Sequence, residues 1–259
     1  MSKRFEISDQ KFHQADWREF LPSLADASID LLLTDPPYGI TDIAWDKKVD
    51  WRAFWVEAHR VCKPAAPMVF FASGKFVPEL LSSNMDQFRY ELIWEKEIAV
   101  GFLDANNRPL RAHEQILIFT HGGFRGSTYN PQKTAGRPHK IGGKQKKDKA
   151  VHYGSTSGRA TKEVITDLYH PRSVLKYSNK VRGRSLHPTA KPLELVEWLV
   201  RSYSNEGDVI LDPFSGSGTT LAASMIAKRR GIGCDISPEY FETAKQRLAE
   251  LRVALRDGE

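Results

Sequence analysis

A chain of 259 residues, 41% of them apolar, is long enough to bury a core without cross-links. It fits one α/β domain with an insertion, or a large domain with a small one. Cys62 and Cys234 sit in no CxxC or Cys/His pattern, which argues against a zinc site or a disulfide framework and for two buried thiols in a reducing compartment. The net charge is +6, but residues 122–185 alone hold 15 Lys and Arg against 3 Asp and Glu, so a net-negative remainder carries one strongly basic segment.

Phosphate backbones are the usual partner of such a segment; a solvated lysine-rich loop is the alternative. The N-terminus MSKRFEISDQ has no apolar core of signal type, and no stretch reaches the roughly 20 apolar residues of a membrane span. The expectation is a cytoplasmic protein with no membrane association.

In chain order, an apolar run predicts a first buried parallel strand over 29–34. Trp51, Phe54, Trp55 and Ala58 at helical spacing predict a helix over 51–62. Further apolar runs predict buried parallel strands over 68–72, 90–94 and 115–120. From Gly122 to Arg184 the pattern breaks, and Gly, Lys, Arg, Ser and Thr displace apolar residues, with short recoveries at 164–168 and 174–175. GGFRG, GRPHKIGGKQKKDK and GSTSGRATK read as mobile loop rather than core. Lys144, Lys146, Lys147 and Lys149 are candidate phosphate contacts there. Regular elements resume with helices over 191–203, 218–228 and 238–252 and strands over 209–212 and 231–234; the last helix has Pro238 in its first turn behind the cap Ser237. Strands alternating with helices predict a doubly wound, mostly parallel α/β sheet. The body is expected from 1–121 and 186–259, with 122–185 inserted as a basic target-recognition region.

Two strand ends carry unusual chemistry. The run over 29–34 ends in Asp35-Pro36-Pro37-Tyr38, where two prolines fix the backbone at the carboxyl end of a strand, the place where open α/β sheets bind ligands. Asp35 and the Pro36 carbonyl can each accept an N–H, and Tyr38 offers a flat face, a set suited to a planar group bearing NH2. An ordinary Asp-Pro turn with a buried Tyr is the competing reading. The second is VILDPFSGSGTT at 209–220, a strand running into a turn with Gly216 and Gly218 before a helix; glycine lets backbone approach a ligand and adopt positive φ. Asp235 ends the next strand, where an acid can hold ribose hydroxyls. Several nucleoside-binding folds share this spacing, and so does a turn that binds nothing.

Together the two motifs resemble those of the S-adenosylmethionine-dependent amino-methyltransferases of DNA, and HPTAKP at 187–192 is similar to a third motif of one subgroup. With the DPPY motif first, then the basic insertion, then the glycine turn, the order resembles the permuted beta group. The resemblance implies a seven-strand sheet with one antiparallel strand, for which 111–122 is the candidate. It implies S-adenosylmethionine as cofactor, double-stranded DNA as partner, adenine N6 as target and no metal; related enzymes are often homodimers. Asp35, Pro36, Pro37 and Tyr38 carry over as the target-base site, with Asp35 also beside the cofactor. Asp212, Phe214, Ser215, Gly216, Ser217, Gly218, Thr219 and Thr220 carry over as the cofactor turn, and Asp235 as the ribose acid. Lys191 would approach the methionine carboxylate. Asp16 would lie near the cofactor adenine, although Ala15 stands where the family has glycine. His187 is a capping or packing residue.

The rivals are a cytosine-N4 DNA enzyme and an RNA methyltransferase, which share these motifs. A nicotinamide dehydrogenase would want a third glycine that GSGTT lacks. A non-catalytic nucleic-acid-binding protein would leave DPPY unexplained.

Overall fold

The computed structural model describes residues 3–39, 48–123, 125–143, 161–180 and 191–257. Lys144, Lys146, Lys147, Lys149 and the motif residues 187–190 lie outside the described residues. The described chain forms two compact units, one from the chain up to Asn130 and from Ser173 onward, the other from Pro131–Arg172.

The larger unit begins with a hairpin, β1 (Arg4–Ile7) and β2 (Gln10–Gln14), then α1 (Trp17–Phe20), β3 (Leu31–Thr34), α2 (Trp51–Val61), β4 (Pro67–Ala72) and α3 (Phe76–Ser83). A long pair follows, β5 (Phe88–Val100) and β6 (Arg111–Thr120). The smaller unit holds one antiparallel pair, β7 (Thr134–Gly143) and β8 (Thr161–Tyr169). The chain then returns through β9 (Val174–Tyr177), α4 (Leu193–Tyr203), β10 (Val209–Asp212), α5 (Thr219–Ile226), β11 (Arg230–Asp235) and α6 (Pro238–Asp257).

Nine strands form one sheet in the order β1-β2-β11-β10-β3-β4-β6-β5-β9. Strands β2 to β4 in that order are parallel, β6 is antiparallel to both neighbours, and β5 and β9 resume the common direction. The seven strands from β2 to β5 therefore contain one reversed strand, β6, with β1 and β9 added at the edges. The parallel direction read from the apolar run over 115–120 is corrected, because such a run reports burial on both faces and is silent on direction; the reversed strand lies where the resemblance pointed, within 111–122.

Within each central strand, alternate residues serve opposite faces. Leu32, Met68, Phe70, Leu117, Phe119 and Leu211 pack with α1, α2 and α3. Leu31, Leu33, Val69, Phe71, Ile116, Ile118 and Ile210 pack with α4 and α5. Phe241, Ala244 and Leu248 of α6 pack on Phe12, Leu221 and Ala222. Both cysteines are free and buried, and burial pushes the Cys62 thiol up to about 12.

From β10 the chain crosses through α5 to β11 on one side. From β3 it crosses through α2 to β4 on the other, with the two helices on opposite faces. The strand order thus reverses between β10 and β3, which opens a crevice at their carboxyl ends.

Several elements differ from the sequence reading. The segment 136–143, with three glycines and a proline, pairs as a strand with β8, yet Ile141, Val164, Ile165 and Leu168 stay exposed, so it adds no core. The hairpin β1–β2 and helix α3 were not among the expected elements; Pro78 lies in the first turn of α3, where a missing N–H costs nothing. Among the described residues no helix is long and apolar enough to cross a membrane.

Candidate active site

Four aspartates stand in a row along one edge of the sheet. Asp16 follows β2, Asp235 ends β11, Asp212 ends β10 and Asp35 follows β3, and these strands are successive neighbours. At about 4.8 Å per strand the row spans roughly 15 Å. Residues far apart in the chain therefore meet at the carboxyl ends of adjacent strands.

The Asp35 loop is held from both sides. Tyr38 Oη donates to Asp35 Oδ1 at 2.9 Å, and Lys191 Nζ donates to Asp35 Oδ2 at 2.5 Å. Tyr38 stacks on Phe76, with centroids 4.7 Å apart and planes inclined by 17°. One ring face is thus already used, and the ring is aligned by a partner of its own. Burial, followed by the charges of Asp35 and Glu114, pushes the Tyr38 phenol well above its ordinary value, so the hydroxyl stays protonated as a donor.

Lys191 is part of a longer chain of charges. Its Nζ lies 3.4 Å from Glu114 Oε2, and Glu114 Oε1 accepts from Lys96 Nζ at 2.5 Å. The side chains of Lys96, Glu114 and Lys191 are 9%, 12% and 10% exposed, so these charges are deeply set. Burial disfavours the Lys191 ammonium, but Asp35 and Glu114 outweigh it and hold its pKa above the usual lysine value. Burial likewise works against the Glu114 carboxylate, and the two lysines win, holding it below the usual range.

The glycine turn has two distinct glycine requirements. Gly216 has φ +49°, with open space where a side chain would stand. Gly218 has φ +76°, and a Cβ there would come within 2.9 Å of the Ala244 Cβ, so a side chain would push α6 off the turn. Asp235 braces the same turn: its Oδ2 accepts from Gly216 N at 2.9 Å and its Oδ1 from Ser237 N at 2.8 Å. Ser215 Oγ donates to the Asp212 carbonyl at 2.7 Å, and Thr219 Oγ1 accepts from Arg247 Nη1 at 2.8 Å, with the Ser217 hydroxyl beside it. Phe214 stacks on Phe54, centroids 5.9 Å apart. Asp16 caps α1, accepting from Arg18 N at 2.9 Å, and pairs with the Arg18 guanidinium.

Asp212 is 3% exposed and works inside the fold: it accepts from Thr34 Oγ1 at 2.6 Å and from Phe214 N at 3.1 Å. Burial raises its pKa to about 6 against the opposing bonds from Thr220, Thr34 and Phe214. A carboxyl with a raised folded pKa lends stability that is full below about pH 4 and is lost as pH rises through about 6. Asp212→Asn removes that titration. The stability of the unaltered protein relative to this variant should fall by on the order of 3 kcal/mol between about pH 4 and pH 7, read from urea midpoints. A gap that does not change with pH would contradict this.

A family model described as "DNA methylase" matches residues 29–246. The chain belongs to this family, the S-adenosylmethionine-dependent amino-methyltransferases of DNA. It is 31% identical over 253 residues to the type II methyltransferase M.HpaI of Haemophilus parainfluenzae, covering 93% of this chain and 74% of that one. Two solved structures share its fold. The M1.HpyAVI–SAM complex matches with TM-score 0.61 and 24% identity over 92% of this chain and 100% of that chain. The cytosine-N4-specific PvuII DNA methyltransferase matches with TM-score 0.65 and 18% identity over 97% and 94%.

S-adenosylmethionine is the methyl donor of this DNA methylase. The described residues fit it. Open space stands before Gly216, and each Asp235 oxygen accepts one backbone N–H, leaving acceptor capacity for hydroxyls. Asp235→Ala should weaken cofactor binding by about 1–3 kcal/mol, the cost of leaving hydroxyl and N–H partners unpaired, with little effect on DNA binding in the absence of cofactor. Calorimetry that finds cofactor affinity unchanged would remove Asp235 from the site.

Sequence reasoning missed Glu114, Lys96 and Phe76. Glu114 lies just before the run read as a buried strand over 115–120, and its neighbourhood RAHEQ, residues 111–115, shows nothing of its two lysine partners. The charged residues flanking the apolar runs over 90–94 and 115–120 were the available signal.

Proposed function

We propose that this DNA methylase transfers the methyl group of S-adenosylmethionine to adenine N6 of a base flipped out of double-stranded DNA, within a specific sequence. The observation that carries this reading is the adjacency of two strand ends: the loop of Asp35, Pro36 and Tyr38 follows β3, and the turn of Gly216 and Gly218 follows β10, its paired neighbour. A base amine held at the first would face a methyl group held at the second.

The cofactor supplies an electrophilic methyl on a sulfonium, whose charge is lost on transfer. The chain supplies position. Asp35 and the Pro36 carbonyl orient the amine so that its lone pair is in line with the methyl, and Tyr38 stacks on the base with the ring face opposite Phe76. Lys191 and Tyr38 fix both Asp35 oxygens, and a carboxylate has lone pairs left for the amine. The amine becomes acidic once methylated, so its proton leaves late and Asp35 acts by orientation. Much of the acceleration then comes from holding two reactants in line. Extrusion from the stack is required because the amine is otherwise inside the duplex. The aspartate at the head of DPPY supports adenine over cytosine, by resemblance to the family's adenine enzymes.

The row of aspartates and the turn residues Asp212 to Thr220 serve the cofactor in this reading, with Asp235 at the ribose, Asp16 toward the adenine and Lys191 near the methionine carboxylate. The basic segment 122–185 serves target recognition. The test is to incubate the protein with S-adenosylmethionine and unmodified genomic DNA and read the product by modification-aware sequencing. N6-methyladenine at one fixed sequence is the expected result. N4-methylcytosine would overturn the choice of base, and unmodified DNA the whole reading.

A further inference from the structure

The β5–β6 hairpin ends in a feature that neither the fold nor the reaction explains. Ala72 of β4 pairs with Gln115, yet β6 continues back to Arg111, so the hairpin runs about 14 Å past the carboxyl end of β4 at four residues of strand rise. This is the edge that carries the Asp35 loop. The tip presents Phe102 at 75% and Leu103 at 86% exposure, with Val100 and Leu110 also exposed. Large apolar side chains grouped this way on a surface mark a site of contact.

The tip is built rather than loose. A one-turn 3-10 helix, Phe102–Asp104, starts from Gly101 at φ +92°. Asp104 and Ala105 N–H groups close onto the carbonyls of Gly101 and Phe102, and those of Asn107 and Arg108 onto that of Asp104. The Arg108 guanidinium donates to the Asp104 carboxylate at 2.5 Å. The base is braced too. Asn179 bonds both the N–H and the C=O of Ile98, at 2.8 and 2.9 Å, and Arg111 Nη1 donates to Ser73 Oγ at 2.9 Å, just past β4. Lys96 and Glu114, from the two hairpin strands, belong to the charge chain that ends on Asp35. The hairpin is therefore a rigid arm rooted in the reaction site, holding two apolar side chains in water.

The size and charge of the tip select its partner. Two side chains offer far less than the roughly 1,000 Å² that a specific protein interface needs. Parting a base step needs only one or two apolar side chains, Phe and Leu among those used. Residues 101–111 hold two arginines against one aspartate, a balance that suits flanking phosphates. We propose that Phe102 and Leu103 are the wedge that enters the base stack of double-stranded DNA and holds it open while the target base lies at Asp35. The proposal rests on the DNA reading above.

The test uses the full-length protein with Phe102→Ser and Leu103→Ser combined, both at exposed positions, so thermal melting should be unchanged. Single-turnover methyl transfer is measured on an oligonucleotide duplex bearing the sequence found by modification-aware sequencing, and on the same duplex with an abasic site opposite the target. The variant should lose roughly tenfold or more on the intact duplex and stay within about twofold of the unaltered protein on the abasic duplex, where the stack is already open. Equal loss on both duplexes, or no loss on the intact one, overturns the wedge. So does a loss accompanied by a fall in sedimentation from dimer to monomer, which would assign the tip to a second copy of the chain. Failure of the DNA reading itself looks different, because the unaltered protein would then methylate neither duplex.

Discussion

Asp35→Ala should lower methyl transfer by more than roughly 100-fold, the scale on which small misplacements of reacting groups act, while DNA affinity changes far less. The side chain lost is the one that aligns the amine, and with it goes the acceptor of both Tyr38 Oη and Lys191 Nζ. Tyr38 separates ring from hydroxyl. Tyr38→Phe keeps the stack on Phe76 and gives up one hydrogen bond, worth about 0.5–1.5 kcal/mol, so it should remain active within about tenfold. Tyr38→Ala removes the face on which the base lies, worth about 1–3 kcal/mol per stacked base, and leaves Phe76 uncovered, so it should be much worse. Rate constants on DNA, beside binding measured by fluorescence anisotropy, check the ordering. If Tyr38→Phe were as inactive as Tyr38→Ala, the phenol rather than the ring would be the working part. Near-normal turnover by Asp35→Ala would remove the loop from the reaction.

Glu114→Ala should be the costliest single change to stability near the site. Glu114 stands between Lys96 and Lys191, and its removal leaves Lys96 a buried ammonium without its carboxylate. Breaking a buried pair by deleting one partner costs about 3–5 kcal/mol, and at about 2–4 °C per kcal/mol for a chain of this size the Tm should fall by at least about 6 °C. Glu114→Gln keeps the shape and an acceptor for Lys96, so it should lie between the variant and the unaltered protein. Differential scanning calorimetry decides. A Tm within about 1 °C of normal for Glu114→Ala would mean that water replaces the carboxylate and that the site is far less dry than these exposures imply.

What the sequence made legible was local. The glycine turn at 216–218 and the Asp-Pro-Pro loop at 35–37 announce themselves because their backbone needs, positive φ and locked φ, are written in residue type. The strands over 68–72 and 209–212 were legible because buried strands are continuous apolar runs. The reversed direction of β6 was not legible in its apolar run, which reads alike either way; only the resemblance pointed to 111–122 for it. Nor was the far end of α6, which continues to Asp257, because its last turn is exposed and follows from propensity rather than burial. Among site residues, those that bind by backbone or by position in a motif could be named. The Thr34–Asp212 bond spans 178 residues and the Lys191–Asp35 bond 156, and such partners exist only once β3 and β10 pair and the chain returns to the same edge. Phe76 as the stacking partner of Tyr38 was hidden for the same reason.

The central claim is that the Asp35 loop methylates the amine of adenine in DNA. The direct measurement is mass spectrometry of nucleosides digested from DNA treated with S-adenosylmethionine labelled in its methyl group, using the unaltered protein and Asp35→Ala in parallel. Labelled N6-methyladenosine as its deoxynucleoside should appear with the unaltered protein and be almost absent with the variant at equal DNA binding. Label in N4-methyldeoxycytidine, no label in any nucleoside, or equal label from both proteins would contradict the account.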